Sequence, residues 1–441
     1  MVELAVRNGV VVAADGERPA DLLVTGGRIA AIVPPGTPAE ARDALDATGC
    51  LVLPGMIDAH VHFRTPGLTH KEDWASGSRA AVAGGVTTVL DMPNCLPATL
   101  TAEALGAKER LVAGQSYCHY GFYGGLAPTL EGLPALLAAG VIGVKVFLGE
   151  TTASIPAPDD GALQAALGVI GAQGLRTIVH SENGALLAAA ARQTAGRPWS
   201  LALHAASRPA VAEVEAVARV LILARAAHAP VAIAHVSTAG AVAVIRAAKA
   251  AGVDVRAEVC PHHLLLTHDE AAELGPLGKV NPPLREAADR EALWQGIADG
   301  TIDQIGSDHA PHTPAERAVD DGARAPSGFA GVQNTLPLLW GVRGLTANRL
   351  AELVAGGPAR TWGLAPRKGR IAVGADADLA VVRPGAPEGV PRQWSRSPAS
   401  PLLELCPLRA AVVATVVGGH PAFVQGQPVG EPRGRWLRPW S

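Results

Sequence analysis

The chain has 441 residues, 48% of them apolar and 17% charged, with a formal net charge of −3. That length suits a large α/β domain plus a smaller one, and the near-neutral balance, without long charged blocks, excludes a nucleic-acid-binding or membrane-surface character. No apolar run approaches the ~20 residues of a membrane span. The five cysteines are scattered without a C-x-x-C pair, which argues against a disulfide framework or zinc ribbon and suits a reducing, cytoplasmic setting.

The first residues lack a basic-then-apolar leader pattern and read as strands. "ELAVRNGVVVAADG", "DLLVTGGRIAAIVP" and "GCLVLPG" alternate like short strands, split by Asn-Gly and Gly-Gly turns. From about residue 366 the pattern returns in "KGRIAVGADADLAVV" and "LRAAVVATVVGGHPAFVQGQ", with a loop, "RPGAPEGVPRQWSRSPASP", between them. Both ends, 1–54 and 366–441, are therefore expected to build one small β-sandwich. Residues 55–365 have another rhythm. Eight apolar, β-branched runs recur there: "GMIDAHVHF", "VTTVLDMPN", "YCHYGFYGG", "GVIGVKVFLG", "RTIVHSEN", "VAIAHVST", "VRAEVCPHH" and "DQIGSDHAPH". Helical stretches such as "RPAVAEVEAVARVLILARAAH" lie between most of them, as a (β/α)8 barrel requires. A doubly wound open sheet is the alternative, but no glycine-rich phosphate loop follows the first run.

Polar residues fall late in these runs: His60, His62, Asn94, Lys145, His180, His235 and Asp308. In a barrel those positions crowd the C-terminal face, where active sites of this fold lie. His60 and His62 stand at i and i+2, so one strand can direct both imidazoles at one ion. Lys145 inside an apolar strand is costly as a cation; desolvation lowers its pKa, and a neutral amine can add CO2 to become a carbamate that bridges two metals. His180 and His235, structural if taken singly, together can serve a second metal. Asp308 can ligate a metal and move a proton, or simply cap a helix. Two metals about 3.5–4 Å apart activate water and polarise a carbonyl, which is the chemistry of amide hydrolysis.

These motifs resemble the amidohydrolase superfamily, specifically the cyclic amidohydrolases: dihydroorotases, allantoinases and hydantoinases. The likeness runs through "PGMIDAHVHFRTPG", "AAVAGGVTTVLDMPN", "GVKVFLGET", "HSEN", "HAASRP", "HVST", "EVCPHHLLL", "KVNPPLR", "GSDHAPHT" and "KGRIAVGADADLAVV". The resemblance implies a barrel with a terminal β-sandwich and two Zn2+ per subunit. It implies that His60, His62 and Asp308 hold the more buried metal, that His180 and His235 hold the other, that carboxylated Lys145 bridges them, and that Asp308 is the general base and acid.

Within the group, Arg64 after "HVHF", Asn94 closing "DMPN", Asn281 in "KVNPPLR" and His312 match the substrate-contact positions of dihydroorotases of the bridging-lysine type. An arginine fork suits a ring carboxylate. A salt bridge to Glu72 or Asp73 is the other use for Arg64. The expectation is a dihydroorotase of pyrimidine biosynthesis, interconverting L-dihydroorotate and N-carbamoyl-L-aspartate, with the backbone of 328–331 bordering the substrate. Cys260 and the "AGVQ" of 330–333 resemble allantoinase or hydantoinase relatives instead, so an allantoinase or hydantoinase is the alternative. A third reading, of another class, is a catalytically silent assembly partner; such relatives typically lack the metal ligands that this chain keeps. The expected partners are a small-molecule substrate, further copies of the chain in a dimer or tetramer, and, left open, an aspartate carbamoyltransferase.

Overall fold

The computed structural model of the chain describes residues 2–151, 155–319, 321–397 and 400–439. Each of the eight apolar runs contains a strand: Met56–Val61, Val86–Asp91, His119–Gly125, Gly143–Phe147, Arg176–His180, Val231–Ile233, Val255–Val259 and Gln304–Ile305. They pair in parallel, each with its sequence neighbours. The eighth returns to the first through a parallel bridge between Val61 and His309. There His62 N donates to His309 O at 2.8 Å and His309 N donates to His60 O at 3.3 Å. The result is the expected (β/α)8 barrel, near-closed, with helices such as Ala210–Ala226 outside it.

The strands form where the chain is apolar without alternation because both faces are covered, one by the barrel interior and one by helices. Every residue of the first three is buried. Closure needs a glycine: a Cβ on Gly306 would stand 2.7 Å from Glu258 Oε2 and 3.2 Å from His60 Cβ.

A separate nine-stranded sheet takes strands from both ends of the chain. Leu51–Pro54 pairs antiparallel with Leu379–Pro384, which joins the two halves. Leu4, Leu22, Val24, Ile29, Val52, Leu379 and Val416 give this sheet its own core.

Three local expectations change. Asn8-Gly9 is no hairpin turn but a bulge in one long strand, Val2–Ala13, with Asn8 at φ 63°. The freed Asn8 amide donates to the buried Asp21 carboxylate at 2.9 Å. In "KGRIAVGADADLAVV" only Leu379 onward is strand; ahead of it, Lys368 turns inward to pair with Asp376 and Asp378. The C-terminal segment also leaves its sheet: Trp436 bridges to Tyr120 and packs its ring against Phe122, on the barrel. The Gly26-Gly27 turn stands as expected, both residues having positive φ between paired strands. No helix among the described residues is long and apolar enough to cross a membrane.

Candidate active site

The barrel gathers the polar strand ends into one narrow recess. His60, His62, Arg64, Asn94, Lys145, His180, His235, Asn281 and Asp308 all line it, with Phe147, Val280 and Ala310 as apolar wall. Ser327 and Gly328 close one side, inside or next to the stretch expected to border a substrate. His312 is absent from the wall. It stands beside Arg64, with Nε2 3.4 Å from the guanidinium and 3.1 Å from Ser327 O, and accepts from Lys71 Nζ at Nδ1.

The side chains converge. Asp308 Oδ1 lies 3.3 Å from His60 Nε2 and 3.1 Å from His62 Nε2. His180 Nδ1 faces His235 Nε2 at 3.0 Å. Ligand atoms on one tetrahedral ion with 2.0–2.2 Å bonds stand roughly 3.3 Å apart. His60, His62 and Asp308 form a buried group able to hold a metal, and the His180–His235 pair has the same spacing. The outer nitrogens are already committed: His60 Nδ1 to Glu258 Oε1 at 2.7 Å, His62 Nδ1 to Asn94 Oδ1 at 2.7 Å, His180 Nε2 to Glu182 Oε2 at 2.8 Å. These acceptors fix the tautomers, leaving each inner nitrogen a lone pair aimed at the recess. The donor set thus fits a metal centre.

The electrostatics suit the same use. Burial pushes His62 down to about 4 and His180 and His235 below the ordinary histidine range, so the rings stay neutral. Burial lowers the Lys145 amine to about 8, despite the carboxylates of Asp308 and Glu258 nearby. Burial also pushes Asp308 up, but its close contacts with His60 and His62 outweigh that and shift the carboxyl below the ordinary aspartate range. Arg64 is lowered by burial to about 10 and remains a cation at neutral pH.

Arg64 pairs with neither Glu72 nor Asp73. Its Nε donates to Pro311 O at 3.3 Å, while Glu72 bonds Ser76 and Ser395, and Asp73 caps the helix Trp74–Ala83. Arg64, His235 and Asp308 all have positive φ, at 60°, 36° and 45°. Non-glycine residues held there carry strain, and such strain concentrates at functional sites.

Several participants carried no role in the sequence reading. Glu258 and Glu182 orient His60 and His180, and Arg208 binds Glu182. A carboxylate inside the apolar run "VRAEV" was the available signal for Glu258. Asn183 caps the helix Gly184–Thr194 by accepting from Ala185 N and Leu186 N. Cys260, His262 and His263 form a second buried group of potential ligands. There His263 Nε2 donates to Pro282 O, and the His262 ring packs edge-on against Phe329.

Comparison with known proteins shows the family of the chain. The amidohydrolase family model matches residues 51–422. An allantoinase of Rubrobacter xylanophilus is 40% identical over 448 residues, covering 99% of this chain and 98% of that protein. A dihydroorotase of Halobacterium salinarum is 43% identical over 384 residues, covering 85% and 86%. The solved L-hydantoinase of Arthrobacter aurescens superposes with a TM-score of 0.92 at 32% identity, covering 99% of this chain and 100% of that one. The chain belongs to the amidohydrolase family, in its cyclic-amide branch.

Proposed function

We propose that the chain opens the ring of allantoin by hydrolysis. The carrying observation is the end-to-end match to an allantoinase, whereas the match to a dihydroorotase spans 85% of the chain. This departs from the dihydroorotase expectation, whose chemistry is the same and whose substrate differs. Catalysis is assigned to the barrel, 55–365, with 1–54 and 366–441 as its companion unit.

His60, His62 and Asp308 would hold one divalent ion, His180 and His235 another, with Lys145 between them as a carbamate; zinc suits the histidine-rich set. Bound there, the ions supply Lewis acidity to the ring carbonyl and lower the pKa of water. The residues do the rest. Water adds across the ring C–N bond: the C–O bond forms, the C–N bond breaks, and Asp308 carries the released proton to the leaving nitrogen. Phe147, Val280 and Ala310 keep bulk water from the reacting edge, and Asn281 with the 327–328 backbone offers hydrogen bonds to the ring.

Arg64 favours a second reading, a ring that bears a carboxylate such as dihydroorotate. A buried guanidinium on the recess wall, without a carboxylate partner among the described residues, suits such a group. Purified protein supplied with Zn2+ and bicarbonate decides between them. Given allantoin, dihydroorotate and hydantoins side by side, it should open allantoin with the highest kcat/KM. Faster turnover of dihydroorotate establishes the second reading, and no turnover of any ring defeats both.

A further inference from the structure

Each half of the recess has one histidine tied to a buried carboxylate, and the two ties differ in charge. His60 donates Nδ1–H to Glu258 Oε1 at 2.7 Å, both side chains being buried. Glu258 Oε2 accepts from Gln304 Nε2 at 2.8 Å, its register partner on the neighbouring strand. Among the described residues His60 is the only ion-pair partner of Glu258. In the other half, His180 donates Nε2–H to Glu182 Oε2 at 2.8 Å. Arg208 takes the same carboxylate, with Nε 3.1 Å from Oε1 and a terminal nitrogen 2.5 Å from Oε2. That terminal nitrogen also donates to Glu150 O at 3.0 Å, which fixes the guanidinium in place.

A carboxylate that accepts from an imidazole fixes which nitrogen keeps the proton and makes the other a better donor to a cation. An arginine on the same carboxylate takes up that charge in a charge-assisted pair. Glu258 therefore directs its whole charge through His60, while Glu182 is already neutralised by Arg208. Asp308 adds a second negative charge to the His60 half.

We propose that Glu258 and Glu182 are positioning residues that make the two metal positions unequal. Glu258 makes the His60–His62–Asp308 position the tight one. Glu182, neutralised by Arg208, leaves the His180–His235 position to release its ion first. The inference rests on the metal-centre reading above.

The test is metal release, read by metal analysis and a chromophoric chelator rather than by turnover. Protein loaded with Zn2+ should lose one ion per chain at a chelator strength at least about tenfold below that needed for the other. Glu258→Gln keeps the size and an acceptor oxygen but removes the charge. It should weaken the tight position about 10–100-fold and merge the two phases. Glu182→Gln should leave the tight phase where it was. Arg208→Gln frees the charge of Glu182 and should strengthen the weaker position, which keeps the inference testable if a Glu258 variant does not fold. Wild-type protein that releases both ions together, or Glu258→Gln with the parent's tight phase, overturns the inference and leaves the metal centre standing. Wild-type protein that binds no ion overturns the metal centre itself, and the inference with it.

Discussion

His180 Nδ1 and His235 Nε2 face one another at 3.0 Å in a buried recess, and the other nitrogen of His180 is already bonded to Glu182. Nδ1 of His235 has no hydrogen-bond partner among the described residues. Burying polar atoms this poorly matched costs about 1–3 kcal/mol each unless something satisfies them. A divalent ion held between His180 Nδ1 and His235 Nε2 would satisfy the facing pair and so stabilise the folded chain.

Zinc should accordingly raise the melting temperature. Free Zn2+ at a hundredfold excess over its Kd adds about 2.7 kcal/mol of stability, and a chelator removes it. Thermal unfolding with Zn2+ and with excess chelator measures the difference. Identical melting curves would count against metal binding.

Lys145 gives a pH-dependent prediction. Burial lowers its amine to about 8, so the neutral, CO2-reactive form is half the population near pH 8 and about 1% near pH 6. At fixed dissolved CO2, metal-free protein should regain its two-metal state up to about 50-fold faster at pH 8 than at pH 6. Stopped-time metal analysis after adding Zn2+ follows the recovery. A rate independent of pH, or one unchanged in Lys145→Ala, would show that the amine takes no part.

Arg64→Met tests the substrate. Leaving a buried carboxylate unpaired costs about 2–5 kcal/mol. Turnover of any ring acid should therefore fall roughly 30-fold or more in kcat/KM, while a neutral ring loses less than about tenfold. Equal losses for both kinds of ring would mean that Arg64 only shapes the wall.

The join between barrel and terminal sheet should be sensitive to acid. Burial pushes the Asp378 carboxyl up, but Lys368 and His119 overcome it and hold it well below the ordinary aspartate value. Because the folded value is depressed, this contribution is fully present above the unfolded pKa of about 3.9 and is lost as pH falls toward the folded value. Asp378→Asn, which leaves Lys368 with Asp376 alone, should cost up to about 3 kcal/mol at neutral pH and distinctly less near pH 3. Urea midpoints of parent and variant at both values check the sign.

Much of the barrel was legible because a strand buried on both faces must be apolar throughout, and eight such runs stood out from helical spacers. His60 and His62 were legible because alternation along one strand fixes their common side. The Asn8-Gly9 bulge was not legible, since the dipeptide serves a turn or a bulge equally well and only the position of Asp21 selects the bulge. The Trp436 contact on the barrel was hidden for a similar reason: a tail shows its own polarity and not the surface that receives it.

The sequence by itself determined the barrel, the terminal β-sheet material and the residue types that crowd the strand ends, because period and polarity are local properties of the chain. Only the tertiary structure decided which nitrogen of each histidine points inward. That choice depends on Glu258, Asn94 and Glu182, which lie 198 residues from His60, 32 from His62 and two from His180. It also placed His312 behind Arg64 rather than on the wall, and brought Arg208 onto Glu182 but not Glu258. Charge sharing of this kind is set by distances of a few ångströms across the barrel, and no spacing along the chain encodes them.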